Sequence, residues 1–568
     1  MFTSNYEFIL NILKYIKFSL IFQAIFAIEN PIVQTNYGPV RGNVRMTDIG
    51  KGYYSFLHIP YVIQPKGEFR FRDPVPVKPW NDTLDCTREG PSCFTFERKK
   101  IGGSDECLGI NVFTPNLSPG ELLPVFVWIH GGAFVGGSSS QLAYGPDYIV
   151  EKDVILVSMN YRLNIIGFLS LKDPKVGVPG NAGLKDQTMA LKWIKENIMH
   201  FGGDPNKITL AGESAGGSSV HYHMISPLSK GLFNRAIVMS GTAFNPWAVA
   251  TKNYDRYFKK FLISLGLNGT EDDQLIFNKI NETPSKRLME LNAQLLDLKD
   301  MLFDTQLESI FLPQVEQYES EMTFLSKSVL ELGRDPWSKD IDAIFGGNAN
   351  EGLLFYAFTP MTNELGMINE DNSLLLLPEL RNKLNADEAQ VKGKILKELY
   401  FKNSTVNDQT LPNFMDYSTD AKFWHGIYRA FMQRPMGDGK GKTYIYRLNV
   451  DPSHHVPIPY KLLRKVNKIP HMKGTAHGED IFLLFKTLIG RRLKPGNDNY
   501  VAQQEFLNHL MNFTKYGNVS SIWPALSGED KNSIQSMEIN RTGSTVHELA
   551  NMKEIFIWNS LYDDNELL

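Results

Sequence analysis

In the first half of the chain, short apolar runs alternate with longer segments of helical spacing. Residues 124–130 and 153–160 are apolar runs of strand length, and the same pattern returns at residues 206–212 and 236–240. Between them, residues 184–200 place apolar side chains on one face of a helix. Continuous apolar strands separated by helices are typical of a parallel sheet covered on both faces. The pattern therefore predicts an α/β fold with a large, mostly parallel central sheet flanked by helices.

Strand signals are sparser in the second half of the chain. Residues 343–345 and 443–450 are the best later strand candidates, whereas residues 255–335 are mainly polar with helical spacing. An insertion of that kind suits a cap over one end of a parallel sheet. Because no Pro/Ser-rich linker divides the chain, we expect a single domain over residues 28–568.

The N-terminal segment has a different character. Residues 18–28 form an apolar run of eleven residues with only two polar interruptions, and Lys14 and Lys17 come just before it. That length suits the core of a signal peptide and is too short to span a bilayer. We expect residues 1–27 to be a signal peptide cleaved after Ala27, and the mature protein to be secreted into the extracellular space without a stable membrane anchor.

Eight Asn-x-Ser/Thr sequons agree with secretion, because this motif is the acceptor of N-glycosylation. The formal net charge of -3 gives no electrostatic case for binding nucleic acid. We find no convincing cluster of metal ligands along the chain. The predicted glycosylation sites are Asn81, Asn116, Asn268, Asn281, Asn403, Asn512, Asn518 and Asn540.

The candidate chemistry lies in residues 208–217, where an apolar strand ends in a Gly-x-Ser-x-Gly turn centred on Ser214. In such a strand-to-helix turn the serine hydroxyl is exposed above the sheet. Gly212 and Gly216 flank it because a Cβ there would meet the neighbouring strand or helix. The backbone N–H of Ala215 begins the helix and points to where negative charge develops. We therefore expect Ser214 to be a nucleophile.

A serine nucleophile needs a base, and in this kind of turn the acid and the histidine follow the serine in the chain. Upstream, residues 130–134 (His-Gly-Gly-Ala-Phe) follow a strand directly and can aim successive N–H groups at an oxyanion. The pattern alone does not select the histidine. The stronger candidates are His425, His454, His455, His471, His477, His509 and His547.

With these motifs in place, the chain resembles the type-B carboxylesterase/lipase family, the cholinesterase-like α/β-hydrolases that include acetylcholinesterase, juvenile hormone esterase and neuroligin. The resemblance implies an α/β-hydrolase fold with helical insertions capping a deep gorge. It also implies hydrolysis of carboxylic esters by a serine, with no cofactor and no metal. The matching segments are residues 107–112, 180–187, 201–205, 212–217 and 240–248.

The same resemblance implies the remaining site residues. The family's acid is matched by Glu351 within residues 347–352, and its histidine by His477 within residues 474–480. The resemblance therefore implies that the base is His477 and not His454, His455 or His471. The family's oxyanion donors match the N–H groups of Gly132, Ala133 and Ala215, and its acyl-pocket tryptophan matches Trp247.

The three cysteines, Cys86, Cys93 and Cys107, lie within 22 residues, so the spacing permits one short disulfide loop and one unpaired thiol. The spacing does not choose the pair. The resemblance implies a Cys93–Cys107 disulfide with Cys86 free, and a Cys86–Cys107 pair is the alternative.

Within the family, the loop between Cys93 and Cys107 encloses only 13 residues and no tryptophan, which argues against choline esters. Glu213 stands where juvenile hormone esterases usually have Gln. These features move the interpretation away from a cholinesterase, and the chain most resembles an arthropod-type secreted carboxylesterase. We expect a small apolar ester as substrate and a monomer or homodimer. The alternatives are a juvenile-hormone-esterase-like or odorant- or pheromone-degrading esterase, a neuroligin-like adhesion or binding protein, and a sequestering esterase of slow turnover.

Overall fold

The computed structural model describes residues 30–563, apart from short internal gaps. The predicted signal peptide, the sequon at Asn403 and the candidate histidines His454, His455 and His471 lie outside the described residues. The gaps are residues 98–99, 251–253, 296–302, 304–308, 357–361, 403, 435–438, 451–473, 489, 491 and 528–532.

A large mixed sheet of eleven strands runs through the described part of the chain. Its strands, numbered in chain order, lie in the spatial order β1-β2-β3-β5-β4-β6-β7-β8-β9-β10-β11. The strands from β5 to β10 in this order pair in parallel, and both ends of the sheet are antiparallel. The bounds are β1 Asn43–Met46, β2 Gly52–Ile59, β3 Ile110–Thr114, β4 Leu123–Ile129, β5 Ile155–Met159, β6 Gly203–Glu213, β7 Arg235–Met239, β8 Asp342–Asn348, β9 Thr443–Asn449, β10 Gln535–Asn540 and β11 Gly543–Glu548.

The mostly parallel α/β sheet is confirmed, and the six predicted strands correspond to β4 to β9. The strands at the antiparallel ends of the sheet were not predicted. Strands β1, β2 and β11 are partly exposed, and the buried strand β3 includes the polar residues Asn111 and Thr114, so none of them is a continuous apolar run. The remaining short strands, outside the large sheet, are Ile32–Gln34, Pro39–Arg41, Leu84–Asp85, Thr95–Glu97 and Lys100–Gly102.

Helices cover both faces of the sheet and fill the long insertions after β7 and β8. The α-helices are α1 Asp147–Val150, α2 Asn164–Phe168, α3 Ala182–Asn197, α4 Ala215–Ile225, α5 Tyr254–Ser264, α6 Asp273–Glu282, α7 Ser285–Ala293, α8 Val329–Gly333, α9 Leu353–Tyr356, α10 Thr362–Glu370, α11 Pro378–Arg381, α12 Ala386–Phe401, α13 Leu411–Thr419, α14 His425–Gln433, α15 Ile481–Leu484, α16 Tyr500–Tyr516 and α17 Met552–Ser560. A π-helical turn, Asp420–Trp424, joins α13 to α14, and 3₁₀ turns lie at Gly67–Phe69, Ile198–Phe201, Pro227–Ser229, Trp337–Asp340, Asn372–Leu375 and Asp408–Thr410.

Alternate residues of the central strands enter two separate cores. Along β4, Val127 packs into the core that contains Trp193 of α3, while Trp128 packs into the core that contains Phe506 of α16. Side chains of a strand point alternately to its two faces, so a strand buried on both faces must be apolar at every position. This is why the central strands appear in the sequence as unbroken apolar runs.

The disulfide joins Cys93 and Cys107, and Cys86 is a buried free thiol. The pairing implied by the family resemblance is therefore confirmed, and the Cys86–Cys107 alternative is wrong. Within the described ranges, no helix combines the length and the apolar character needed to cross a membrane.

Candidate active site

Ser214 lies in a sharp turn between β6 and α4. Its backbone has φ 60° and ψ -124°, a region that residues with a side chain rarely adopt. The turn is fixed on both sides, because the Ser214 N–H donates to Met239 O at 2.9 Å and the Ser214 carbonyl accepts from Ser218 N at 2.9 Å. The strained backbone therefore belongs to a well-anchored turn at the end of a central strand.

Close backbone packing surrounds this turn. A Cβ on Gly216 would lie 2.1 Å from Ile129 O, and a Cβ on Gly212 would lie 2.5 Å from the Gly216 carbonyl carbon. On the neighbouring loop, a Cβ on Gly241 would lie 2.2 Å from Ser214 O. Backbone atoms cannot move away as a flexible side chain can, so these positions require glycine.

Three side chains distant in sequence form one hydrogen-bonded chain. His477 Nε2 lies 2.8 Å from Ser214 Oγ, and His477 Nδ1 lies 2.7 Å from Glu351 Oε2. Ser214 is 9% exposed and Glu351 is fully buried. The structure thus brings together the three residues that the sequence analysis expected to act as nucleophile, base and acid.

Glu351 is held by two further donors on its other oxygen. Ser240 Oγ and the backbone N–H of Asn348 each donate to Glu351 Oε1 at 2.6 Å. These hydrogen bonds fix the orientation of the carboxyl group towards His477. Neither Ser240 nor Asn348 was expected as a site residue, although Ser240 lies in a segment that matches the family.

The loops that carry Glu351 and His477 are bound to each other directly. Asn348 Nδ2 donates to Ala476 O at 2.9 Å, and Asn350 N donates to Thr475 O at 2.9 Å. Thr475 Oγ1 also accepts from Val450 N at 2.8 Å, which ties the histidine loop to the end of β9. The position of the histidine therefore depends on contacts across the fold.

A second carboxyl group, Glu213, lies beside the histidine, with Oε1 3.3 Å from His477 Nε2. Burial opposes a charged imidazole, but Glu213 and Glu351 outweigh it and raise the pKa of His477 to about 9. Burial in turn raises the pKa of Glu213 to about 8, although His477 acts against this. Each charge stabilises the other, so the pair holds a proton at higher pH than either group does in water.

The glycine-rich loop after β4 lies next to the serine. A Cβ on Gly131 would lie 3.0 Å from Ser214 Cβ, so the loop passes directly beside the nucleophile. Gly132 and Ala133 have positive φ values of 113° and 53°, which turn this segment sharply. Within the described part of the chain, the N–H groups of Gly132, Ala133 and Ala215 donate to no protein acceptor. This leaves three backbone donors, one in the serine turn and two in the loop beside it.

Aromatic side chains form the apolar surroundings of the site. Trp247 is fully buried, and a Cβ on Gly241 would lie 2.8 Å from its ring, which places the tryptophan close to the serine turn. The Trp247 indole N–H donates to Lys422 O at 2.8 Å. Phe423 packs against Trp247 at 5.8 Å and against the His477 ring at 4.6 Å between centroids.

Phe423 was not expected from the sequence. It lies in the π-helical turn Asp420–Trp424, and no local sequence signal distinguishes that turn from the α-helices around it. π-Helical turns are frequent at functional sites because one extra residue redirects the side chains and carbonyl groups of the helix.

The other described candidate histidines are engaged elsewhere. His425 Nε2 lies 3.1 Å from Asn559 Oδ1, His509 Nε2 lies 3.0 Å from Ser544 Oγ, and His547 Nε2 lies 2.9 Å from Thr545 Oγ1. Of the described candidates, His477 is therefore the one that reaches Ser214.

The described sequons differ in accessibility. Asn281 and Asn540 are only partly exposed, and Asn281 O accepts from the guanidinium of Arg70 at 2.9 Å. The exposed sequons are Asn81, Asn116, Asn268, Asn512 and Asn518.

Comparison with known proteins agrees with this geometry. The model of the Carboxylesterase family matches residues 29–558. Esterase B1 of Culex pipiens is 33% identical over 95% of this chain and 100% of its own length. Venom carboxylesterase-6 of Apis mellifera is 31% identical over 100% of both chains.

Among solved structures, juvenile hormone esterase from Manduca sexta, with OTFP covalently attached, superposes with a TM-score of 0.81. It is 29% identical and covers 94% of this chain and 100% of its own. The fold is therefore that of an α/β-hydrolase. The chain belongs to the carboxylesterase family and is a carboxylic ester hydrolase.

Proposed function

We propose that the chain is a secreted serine carboxylesterase that hydrolyses its ester through an acyl-enzyme on Ser214. The observation that carries the proposal is the continuous hydrogen-bonded chain from Ser214 through His477 to Glu351. A serine hydroxyl is a weak nucleophile at neutral pH, and an adjacent base held by a carboxylate is the arrangement that activates it.

In the first half-reaction, Ser214 Oγ attacks the ester carbonyl while His477 Nε2 takes the hydroxyl proton. Glu351 holds the imidazole in the tautomer that leaves Nε2 free to accept and stabilises the imidazolium that forms. The C–O bond to the alcohol then breaks, and His477 returns the proton to the leaving alkoxide oxygen. Ser214 is left acylated.

In the second half-reaction, His477 removes a proton from water, whose oxygen attacks the acyl carbonyl. The ester bond to Ser214 Oγ breaks, the serine regains its proton, and the carboxylic acid leaves. In both steps the N–H groups of Gly132, Ala133 and Ala215 stabilise the oxyanion. One such donor is worth about 2.7–4 kcal/mol of transition-state stabilisation.

The test is Ser214→Ala, measured by hydrolysis of a simple aryl ester and by labelling with a fluorophosphonate. We expect kcat to fall by a factor on the order of 10⁶, with the protein still folded and no longer labelled. Ser264→Ala, on the exposed surface of α5, is the control. Full activity or labelling of Ser214→Ala would contradict the proposal. A wild-type protein that does not label would instead support the neuroligin-like binding protein.

Turnover separates a general esterase from a sequestering one. We expect steady hydrolysis after the first turnover, because the site holds the base that deacylation requires. A stoichiometric burst followed by negligible turnover would indicate the sequestering esterase, in which the acyl-enzyme persists.

We propose a small or medium apolar ester as substrate, with Trp247 forming part of the acyl pocket. The support is the aromatic surface of Trp247 and Phe423 beside His477. A juvenile-hormone-esterase-like activity is the second candidate, because a protein of that name from Manduca sexta superposes over nearly the whole chain. A panel of esters varied separately in acyl and alcohol length, including juvenile hormone and volatile acetates, distinguishes these activities.

Secretion and glycosylation complete the proposal. Residues 1–27 are proposed as a signal peptide, and the exposed sequons as the glycosylated ones. Expression in insect cells tests both: we expect activity in the medium, a mature N-terminus at residue 28, and a loss of mass after removal of N-glycans. Retention of the full chain inside the cell would contradict secretion.

A further inference from the structure

The imidazole of His130 lies at the start of the glycine-rich loop, and the acyl-transfer steps above make no use of it. The side chain is buried, and its Nδ1 lies 2.8 Å from the carbonyl oxygen of the next residue, Gly131. A carbonyl oxygen can only accept a hydrogen bond, so Nδ1 carries the hydrogen and donates it. Burial also lowers the pKa of His130 to about 4, so the ring is neutral near pH 7 and has a single N–H. The histidine therefore binds its own loop through one defined tautomer.

This hydrogen bond fixes the direction of a neighbouring N–H group. The Gly131 carbonyl and the Gly132 N–H belong to one peptide unit, which is planar and trans, so the two groups point in opposite directions. Because His130 Nδ1 holds the Gly131 oxygen on one side, the Gly132 N–H must point to the other side, away from the imidazole. That N–H is one of the three donors proposed to stabilise the oxyanion.

The second donor of the loop is directed by the backbone alone. Val135 N and Gly136 N both donate to Gly132 O at 2.9 Å, which closes a tight turn. The Ala133 N–H shares its peptide unit with that carbonyl, so it points away from the closed turn. A substitution of the His130 side chain therefore reaches the Gly132 donor and leaves the hydrogen bonds behind the Ala133 donor in place.

Tyr161 holds His130 in this position. It is fully buried, its hydroxyl donates to His130 O at 2.9 Å, and its ring stacks on the imidazole with 4.5 Å between centroids and 21° between planes. A Cβ on Gly137 would lie 2.6 Å from His130 Nδ1 and 2.4 Å from Gly131 O, so the Gly137 backbone packs directly against the hydrogen bond. The backbone, the ring plane and the hydrogen bond of His130 are thus fixed in advance, as stabilisation of an oxyanion by preorganised donors requires.

Building on the proposed function, we propose that His130 is a positioning residue that aims the Gly132 N–H at the oxyanion through its hydrogen bond to Gly131 O. His130 exchanges no proton during the reaction, and His477 remains the base. Without this hydrogen bond the peptide unit between Gly131 and Gly132 can rotate, and the donor loses its fixed direction. The loss falls on the transition state, because negative charge develops on the ester oxygen only after attack by Ser214.

The test compares His130→Asn with His130→Leu in the full-length protein. The Asn amide can place an N–H where His130 has Nδ1 but lacks the ring that stacks on Tyr161, whereas Leu has no donor. We expect kcat for an aryl ester to fall by about threefold at most in His130→Asn and about ten- to a hundredfold in His130→Leu, with KM nearly unchanged in both. Thermal denaturation is measured on both variants, since a role in packing alone predicts that kcat falls only as stability falls. That outcome, or an Asn variant no more active than the Leu variant, would overturn the proposal.

Inhibition by a trifluoromethyl ketone gives a second readout. Ser214 Oγ adds to the ketone carbonyl carbon while His477 takes the proton, and the hemiketal oxyanion resembles that of the tetrahedral intermediate. We expect Ki to rise in His130→Leu by the same factor as kcat/KM falls, and to stay within about threefold of wild type in His130→Asn. An unchanged Ki in His130→Leu would overturn the proposal.

If His130→Leu does not fold, the asparagine variant decides alone. A stable His130→Asn whose kcat falls and whose Ki rises by more than about tenfold would overturn the proposal, because the donor is kept in that variant. Failure of the proposed function is separate, because wild type would then neither hydrolyse the ester nor label at Ser214.

Discussion

Ser214 lies on a turn made of consecutive residues, whereas Glu351 and His477 come from two loops 126 positions apart. The serine turn is held by backbone contacts with β4 and β7, and its glycines are required by close approach of main-chain atoms. The two loops are held by hydrogen bonds from Asn348, Asn350 and Thr475. We call the turn around Ser214 the serine turn, and the two loops that carry Glu351 and His477 the acid–histidine loops.

The two parts differ in what a substitution is expected to damage. In the serine turn, an added methyl group meets a backbone that cannot move, so the expected failure is loss of the fold. In the acid–histidine loops, a lost hydrogen bond leaves the fold in place at a cost of about 1–3 kcal/mol, so the expected failures are a slower reaction, a shifted pH profile or a moderate loss of stability. Four substitutions test this contrast.

The largest effect is expected from Gly216→Ala in the serine turn. Its Cβ would lie 2.1 Å from Ile129 O, so β4 and α4 would have to separate. We expect unfolding to become easier by about 3 kcal/mol or more, together with loss of activity, measured by thermal denaturation and ester hydrolysis. Gly120→Ala is the control, because its Cβ meets nothing within 4 Å. A fully stable Gly216→Ala would contradict this account of the turn.

In the acid–histidine loops, Ser240→Ala removes one of the donors to Glu351 Oε1. A hydrogen bond to a charged group is worth about 1.5–3 kcal/mol, so we expect kcat to fall on the order of ten- to a hundredfold. KM should change little, whereas the melting temperature should fall, because the same hydrogen bond stabilises a buried carboxylate in the folded protein. If KM rose while kcat stayed constant, Ser240 would belong to substrate binding and not to the support of Glu351.

A shift of pH dependence is expected from Glu213→Gln, because the backbone of this residue belongs to the serine turn while its side chain lies beside His477. Glu213 raises the pKa of His477, so its removal lowers that pKa. Because the histidine must be neutral to accept the serine proton, the acid limb of kcat/KM should move to lower pH, by about one unit. An unchanged midpoint in Glu213→Gln would mean that Glu213 is neutral when His477 is charged.

The smallest effect on the reaction is expected from Thr475→Val. The hydroxyl accepts from Val450 N and donates to Val450 O, and valine has the same shape without these bonds. We expect a loss of stability of about 1–3 kcal/mol, because two buried backbone groups lose their partner, and a fall in kcat of only a few-fold. Thr475→Ser keeps the hydroxyl and should restore both. A large fall in kcat without loss of stability would contradict this purely structural role.

The two parts of the site also differ in how far the sequence predicted them. The residue types and spacing around Ser214 identified the serine turn, because strand, glycines, serine and helix are contiguous. Glu351 and His477 followed only from the resemblance to a family, since neither has a local pattern that separates it from other loop carboxylates or histidines. Ser240, Asn348 and Phe423 were missed for the same reason.

The fold shows a similar division. The central strands were predictable because burial on both faces makes them continuously apolar. The antiparallel ends of the sheet were not, because partly exposed strands such as β1 and β11 have no such run. Several described histidines were candidates for the base, and only the contacts of the folded chain show which of them reaches the serine.

The sequence by itself determined the α/β fold and the serine turn, because backbone sterics and burial act on neighbouring residues and leave a local pattern. Only the tertiary structure placed His477 beside Ser214, buried Glu213 and Asp480 near the same imidazole, and set Phe423 against it. Hydrogen bonds and charges act through space, so the proximity of these groups depends on the folded chain and cannot be read from their separation in sequence.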